Sequence, residues 1–545
     1  MNKFTEGLHR VDRFIFVAPK VTLFFVLAAT IFFALQIPAV RMVSDFADLL
    51  PQEHPYIKLH NSIRDTFGGA NNIILSVEVD EGTIFTNETL DRIHRLTQAV
   101  DSISNINHNL VSSLTHRNTR KVWLNEEGTV KSTPHYNPGK GGYTDAELEE
   151  MKADVIANPR VFGLLVSPDL RSALIRGTLN EGELDYEKVF DELQEIRAAE
   201  AASGVTIHAT GNPVLVGWVS SYVGQIVQIF LYTVLIMLVL LIVYFRKAYG
   251  IILPIMGIVL TSIWGLGMLS LLGYNLDPLM MVVPFLISAR AMSHGIQLVE
   301  RFYYELAELK DSKAAARKAF ESLFRPGSLG VISDAIGLLL ISLGSVPIND
   351  KLAVYASLWA LSVIVTVLIT VPVLLELLPP PRNTEIRHGI LRRILPRLAS
   401  GVTSRKGVST ILATTVALYI VGGYFSSWVQ IGEAEPGSPL LYLDHDYNVS
   451  SKAINDSFPG SEELYIIGYT EEKAGLKRPD VLNALADFQA HMLTDPELGG
   501  AKGVPNLVTA VNRMTHYDDP RWMVVPEDPR VAGGLQVPHP PDTAA

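Results

Sequence analysis

The chain holds 545 residues, 48% of them hydrophobic and only 19% charged, with a mean hydropathy of +0.24. No ordinary solvated surface carries that balance at this length, so much of the chain must face lipid. The formal net charge of −11 argues against a nucleic-acid partner, which would need a basic face, and zero Cys excludes disulfides, thiolate metal sites and Cys nucleophiles.

Seven apolar stretches have the length, about 20 residues, that crosses a hydrocarbon core as a helix. They are Val21–Val40, Ile226–Phe245, Ile251–Leu272, Leu279–Val299, Gly330–Val346, Leu352–Leu378 and Val408–Val429. The first is too long for a signal-peptide core and no small-residue cleavage site follows, so it reads as an uncleaved anchor. Pro254, Pro284 and Pro372 fall within spans and are candidates to kink them.

Lys and Arg alternate in density from loop to loop. They crowd before span 1, between spans 2 and 3, between spans 4 and 5, and before span 7, while the loop at 273–278 has none. That asymmetry predicts a cytoplasmic N-terminus (1–20), span 1 (21–43), an outer domain (44–217), spans 2–6 (218–378), a basic cytoplasmic linker (379–407), span 7 (408–430) and a partial second outer domain (431–545). In the linker Ile386, Ile390, Ile394 and Leu398 recur every four residues among arginines, the pattern of a helix lying in the interface against anionic lipid.

Shifting the chain by 391 residues lays His54-Pro-Tyr56 on His445-Asp-Tyr447, then Ile63, Asp65, Phe67 and Gly69 on Ile454, Asp456, Phe458 and Gly460, with span 1 on span 7. Collinear matches after matched spans point to an internal duplication. His54 and His445 have no second ligand at metal spacing and read as helix-start residues.

The first outer domain reads as alternating strands and helices. Ile73–Asp80 alternates as a strand, Asn87–Val100 is helical, Val111–Leu114 is a short strand, and Thr144 caps a helix to Ala157. Strand Ser172–Leu179, helix Leu184–Ala201 and strand Val205–Thr210 complete a second cycle, so two α+β subdomains are expected. Residues 431–545 repeat only the first cycle. The reading is therefore of a duplicated unit cut short, expected to be completed by a second copy or a complementing chain.

One span, a double α+β outer domain, five spans and a repeat of that unit resembles the resistance-nodulation-division (RND) superfamily. Ser288-Ala-Arg-Ala-Met-Ser-His-Gly-Ile-Gln-Leu-Val-Glu-Arg-Phe302 is similar to its fourth-span signature, and Ser333-Asp-Ala-Ile-Gly-Leu338 to its fifth-span one. The resemblance is to the branch holding MMPL-type lipid exporters, hopanoid exporters and Patched-like sterol-sensing proteins. It implies a polytopic α-helical membrane protein of about seven spans with βαβ-type, porter-like extracytoplasmic domains. On its pattern the proton-carrying Asp falls at Ser293 and its Tyr neighbour at His294.

The residues themselves offer another set. Arg290, Ser293, His294, Gln297 and Arg301 recur at steps of three or four, forming one polar stripe on an apolar span that should face the bundle interior. At a rise of about 1.5 Å per residue His294 lies roughly 10 Å and Arg290 roughly 16 Å inward from Arg301, and Asp334 roughly 13 Å inward from Arg325 on the next span. Arg290, His294 and Asp334 are thus candidates for a proton relay, with Ser293 and Gln297 as a supporting polar stripe. A static Arg290–Asp334 pair that fixes helix packing is the competing reading.

With no P-loop, no dinucleotide-binding glycine pattern and no H-E-x-x-H, nucleotide-driven transport has no support in the sequence, and neither a cofactor nor a metal is expected. The expectation is a proton-motive-force-driven inner-membrane exporter of hydrophobic or lipid-like molecules, not an enzyme, with membrane lipids as its other partners. Two alternatives stay open: a non-pumping sterol-sensing-like lipid-binding protein, and an accessory subunit for protein secretion.

Overall fold

The computed structural model describes residues 15–40, 51, 53–59, 62, 71–180, 185–277, 280–381, 391–429, 436–461, 464–470, 472, 474–496 and 498–536. In chain order the elements are α1 (Pro19–Gln36), β1 (Asn72–Val79), α2 (Asn87–Asp101), β2 (Arg120–Leu124), β3 (Val130–Pro134), α3 (Asp145–Ala157), β4 (Ser172–Thr178), α4 (Tyr186–Ala199) and β5 (Val205–Thr210). Then follow α5 (Asn212–Ser221), α6 (Val223–Phe245), α7 (Ala248–Leu271), α8 (Val283–Leu309), α9 (Ser312–Leu339), α10 (Pro347–Val363) and α11 (Thr370–Leu377). The last are α12 (Leu391–Thr403), α13 (Arg405–Ser426), α14 (Asp446–Ser457), α15 (Pro479–Met492), α16 (Val504–Thr515) and α17 (Pro529–Gly534). They divide into two compact units, residues 1–62 with 220–430 and residues 63–219 with 431–545.

Among the described residues seven helices are long and apolar enough to cross a membrane: Pro19–Ala39, Asn212–Phe245, Ala248–Leu271, Met280–Leu309, Ser312–Leu343, Pro347–Leu377 and Arg405–Ser426. The expected polytopic helical fold is therefore present, with one notable difference at span 5. Its apolar run begins near Gly330, but the helix begins at Ser312, where the Asp311 carboxylate accepts from the Lys313 and Ala314 N–H groups. The basic stretch before span 5 is thus the first half of the same helix: Lys313-Ala-Ala-Ala-Arg-Lys-Ala319 is made of strong helix formers, and the helix runs on through Pro326 and Gly327 into the apolar segment.

The prolines do three different things. Pro254 lies inside α7, Pro284 occupies the first turn of α8, where its missing N–H costs nothing, and Pro372 stands in the first turn of α11, just past the π-helical segment Ile364–Ile369 that joins α10 to α11. The interior of the bundle is built by Phe302, Tyr303, Tyr355, Trp359 and Val367, all essentially inaccessible. Gly265 on α7 lets the Trp359 indole lie against the helix backbone, since a Cβ there would come within 2.0 Å of the ring. Span 7 has no buried residue among those described.

In the second unit β4, β1 and β5 form one antiparallel sheet with β1 in the centre. β4 and β5 both run opposite to β1 and so parallel to each other, with α4 between them: a split βαβ unit. The two expected cycles consequently share one sheet and one core instead of forming two subdomains. Alternation explains the core face, where Ile73, Leu75, Val77 and Val79 meet Leu90, Ile93, Leu96 and Val100 of α2. The α2 N-terminus is capped by Thr86, and α3 opens with a full capping box between Thr144 and Glu147. The expected strand at Val111–Leu114 is only an isolated bridge, Ser112 to Arg176, and β2–β3 form a separate hairpin.

The opposite face of the sheet is covered by the second copy of the repeat. Ile454 and Phe458 of α14 pack on Ile74 and Leu174. Arg197 of α4 holds Asp446 at 2.9 and 3.1 Å while also donating to the Ile207 carbonyl. His445 caps α14, its Nδ1 accepting from the Tyr447 N–H at 3.1 Å, and His54 makes the same turn with Tyr56 at 3.2 Å. No strand occurs between 436 and 536 among the described residues. Residues 464–470 answer to β1 in the repeat, and among the described residues that follow them no strand answers to β4 or β5, which hold β1 on both sides.

Candidate functional site

Arg290 and Asp334 form an ion pair between α8 and α9. On α9 Gly330 lies one turn before Asp334, and Gly327 one turn before that. A Cβ at Gly330 would stand 3.8 Å from Arg290 Nη2, and one at Gly327 would stand 3.7 Å from His294 Nδ1. Gly327, Gly330 and Asp334 follow one another at helical spacing, so two backbone gaps and a carboxylate on α9 face the polar side chains of α8.

The stripe does not point as one into the interior. His294 is buried and Ser293 half-buried, whereas Arg290 and Gln297 are exposed, and the side chains of the ion pair retain 44% and 39% of their accessibility. At roughly 100° per residue the stripe spans about a quarter of the helix circumference. Only the His294 edge adjoins the apolar face carrying Ile287, Ala291 and Leu298; the remainder lies on the outer wall of this bundle. Gln297 Nε2 donates to Ser293 Oγ at 3.4 Å, a long bond. Among the described residues His294 Nε2 has no hydrogen-bond partner, so His294 adjoins the ion pair without being bonded into it.

Other members of the site were not legible as such. Leu368, in the π-helical segment, fills the space in front of Gly327, and Val367 does so at Gly257 of α7. Beside them Thr366 and Thr261 share a fully buried hydrogen bond of 2.7 Å. A π turn shifts the side-chain register of span 6 by one residue, bringing Thr366 to α7 and Leu368 to α9. Further along α9, Arg317 pairs with the buried Glu376 at 3.0 Å and donates to the Phe16 carbonyl. Arg301 pairs with Glu305 at 2.6 Å, and Tyr244 donates to Glu300 at 3.0 Å.

The α+β unit holds a second polar group, with Thr97, Ser113 and Thr115 hydroxyls within 2.8–3.3 Å of one another in the core. Burial pushes the neighbouring His116 imidazole below its ordinary range, and does the same at His135. The Glu147 carboxylate, held by Lys140 and the Thr144 cap, is pulled down to about 2. No cluster of three or more His, Asp or Glu positioned for a metal occurs among the described residues.

A multi-span helical bundle and a split βαβ unit in one chain, with charged side chains paired within the spans, define a membrane transporter of the RND type. The chain belongs to the MMPL family, whose profile matches residues 49–405. It is also similar to a membrane protein of Methanocaldococcus jannaschii, at 24% identity over 384 residues that cover 68% of this chain and 93% of the archaeal one.

Proposed function

We propose that the protein is a proton-motive-force-driven exporter of hydrophobic or lipid-like molecules, seated in the inner membrane with its N-terminus in the cytoplasm and its α+β unit outside. The observation that carries this reading is the Arg290–Asp334 pair with His294 one helical turn away, within two adjacent spans. An intramembrane charge costs about 2.5–3.5 kcal/mol on insertion scales, so a pair retained there with a titratable imidazole alongside reads as function. Asp334 would bind and release the proton, Arg290 would hold its carboxylate through the ion pair, and His294 would exchange protons with it. Ser293 and Gln297 would line the path.

The exposure of the pair on the outer wall of the bundle bears on the partner. Lipid against Arg290 and Asp334 would be costly, so this face would be covered in the membrane by a second copy or by a complementing chain. The non-pumping, sterol-sensing-like reading keeps one observation in its favour: the pair is closed without His294, as a static structural bridge would be. An accessory role in protein secretion has no comparable support. The readings separate in proteoliposomes given a pH gradient and a fluorescent lipid probe. An exporter moves the probe only while the gradient stands, and an uncoupler stops it; gradient-independent probe distribution would contradict the proposal.

A further inference from the structure

An open groove of about 510 Å³ lies between α12 and the first turns of span 7. Ile394, Leu398 and Val402, spaced along one face of α12, make one wall, and Thr410 and Ile411 of α13 make the other. Arg397 lies on the rim. The two helices meet at a tight elbow in which a Cβ on Gly407 would strike the Gly401 carbonyl at 1.9 Å, and Ser404 caps α13 through the Gly407 N–H at 3.0 Å. The groove is therefore fixed by backbone contact and is not a gap between loose segments.

We propose that this groove is a binding site for an anionic phospholipid, one acyl chain lying between the apolar walls and the headgroup phosphate meeting Arg397. Charge selects the occupant: residues 386–407 carry six Lys or Arg and no Asp or Glu. That density, immediately before a span, attracts an anionic leaflet and repels cations. The wall supplied by span 7 selects lipid over an acidic peptide. A peptide seated there would leave backbone N–H and C=O groups unpaired in hydrocarbon, whereas an acyl chain has none to satisfy. The guanidinium can hold a phosphate through two parallel hydrogen bonds, which a zwitterionic headgroup partly cancels with its own cation.

The test uses the full chain in detergent with two lipids of identical chains, dioleoylphosphatidylglycerol and dioleoylphosphatidylcholine, and reads retained lipid by native mass spectrometry. The phosphatidylglycerol should be retained preferentially. Arg397→Gln should lower that preference about fivefold, the scale of one basic residue at an anionic surface, while Arg397→Lys keeps most of it. Ile411→Trp, which fills the groove, should reduce retention of both lipids. Equal retention of the two lipids by the unaltered chain would overturn the proposal, as would retention unchanged in both Arg397→Gln and Ile411→Trp. Displacement of the lipid by millimolar inorganic phosphate would also overturn it, since the site would then be one for free phosphate.

Discussion

Arg290 on α8 and Asp334 on α9 are joined as an ion pair between two membrane-spanning helices, with Gly330 one turn before Asp334 facing the guanidinium. Gly327, one turn earlier, faces His294 and is packed against by Leu368, whose methyls take the space a side chain there would need. The packing beside His294 thus depends on Gly327 and on the π-helical turn of span 6 that carries Leu368.

This geometry predicts the effect of Gly327→Val. The added side chain must displace Leu368, whose methyls stand 3.0 and 3.1 Å from the position of a Cβ. Overpacking of this kind costs about 1–3 kcal/mol. Leu368→Ala should restore much of the loss when combined with it, although alone it destabilises by leaving a cavity. Thermal unfolding of the two single variants and the double variant in detergent checks this; additive losses would show that the two positions do not share the space.

The contact of α14 with the sheet makes a second prediction. Ile454 is fully buried against Ile74 and Leu174, so Ile454→Ala should destabilise the α+β unit by about 2–5 kcal/mol. Asp446→Ala, which removes an ion pair with one partner half-exposed, should cost about 1 kcal/mol or less. Hydrogen exchange at β1 and β5 reports both, and equal protection in the two variants would count against the packing described.

His116 supplies a pH prediction. Burial holds its folded pKa below the unfolded value near 6.5, so below that value the unfolded chain binds more protons than the folded one. The stability it contributes is full above the unfolded pKa and is lost as pH falls through that value toward the folded one. Glu147, already down to about 2, contributes change only below its ordinary range, so unfolding between pH 7.5 and 5 isolates the imidazoles. His116→Gln should flatten the decline, and an unchanged slope would exclude His116 as its source.

The spans were legible because about 20 consecutive apolar residues admit few other readings. The α3 start was legible as well, since Thr144 and Glu147 bear a capping pattern that the chain satisfies on both sides. The β2–β3 hairpin was not, because Arg-Lys-Val-Trp-Leu and Val-Lys-Ser-Thr-Pro lie largely at the surface and carry no core alternation. Nor was the π turn, since Ile-Val-Thr-Val-Leu-Ile reads as apolar at any helical period. In the site, Arg290 and Asp334 stood out as charges within apolar runs. Gly327 and Gly330 did not, for a glycine in a span carries no mark of what lies opposite. The orientation of the stripe, too, depends on which neighbours pack on α8, which its own spacing does not state.

The orientation proposed for the chain has its own check. A reporter active only outside the cytoplasm, fused after residue 430, should be active, and a cytoplasmic reporter there should be silent. The reverse pattern would invert the assignment of the basic loops.

The measurement that tests the relay most directly is gradient-driven movement of a fluorescent lipid probe in proteoliposomes, comparing the unaltered chain with Asp334→Asn, His294→Phe and the double variant. The account predicts that each variant folds and inserts, since an amide keeps the size and hydrogen bonds of Asp334, while movement falls to the level of empty liposomes; Ser293→Ala should be mild. A static pair predicts the inverse order, with Asp334→Asn leaving Arg290 uncompensated and unstable and His294→Phe nearly silent. Full gradient-driven movement by a stable double variant would contradict the relay.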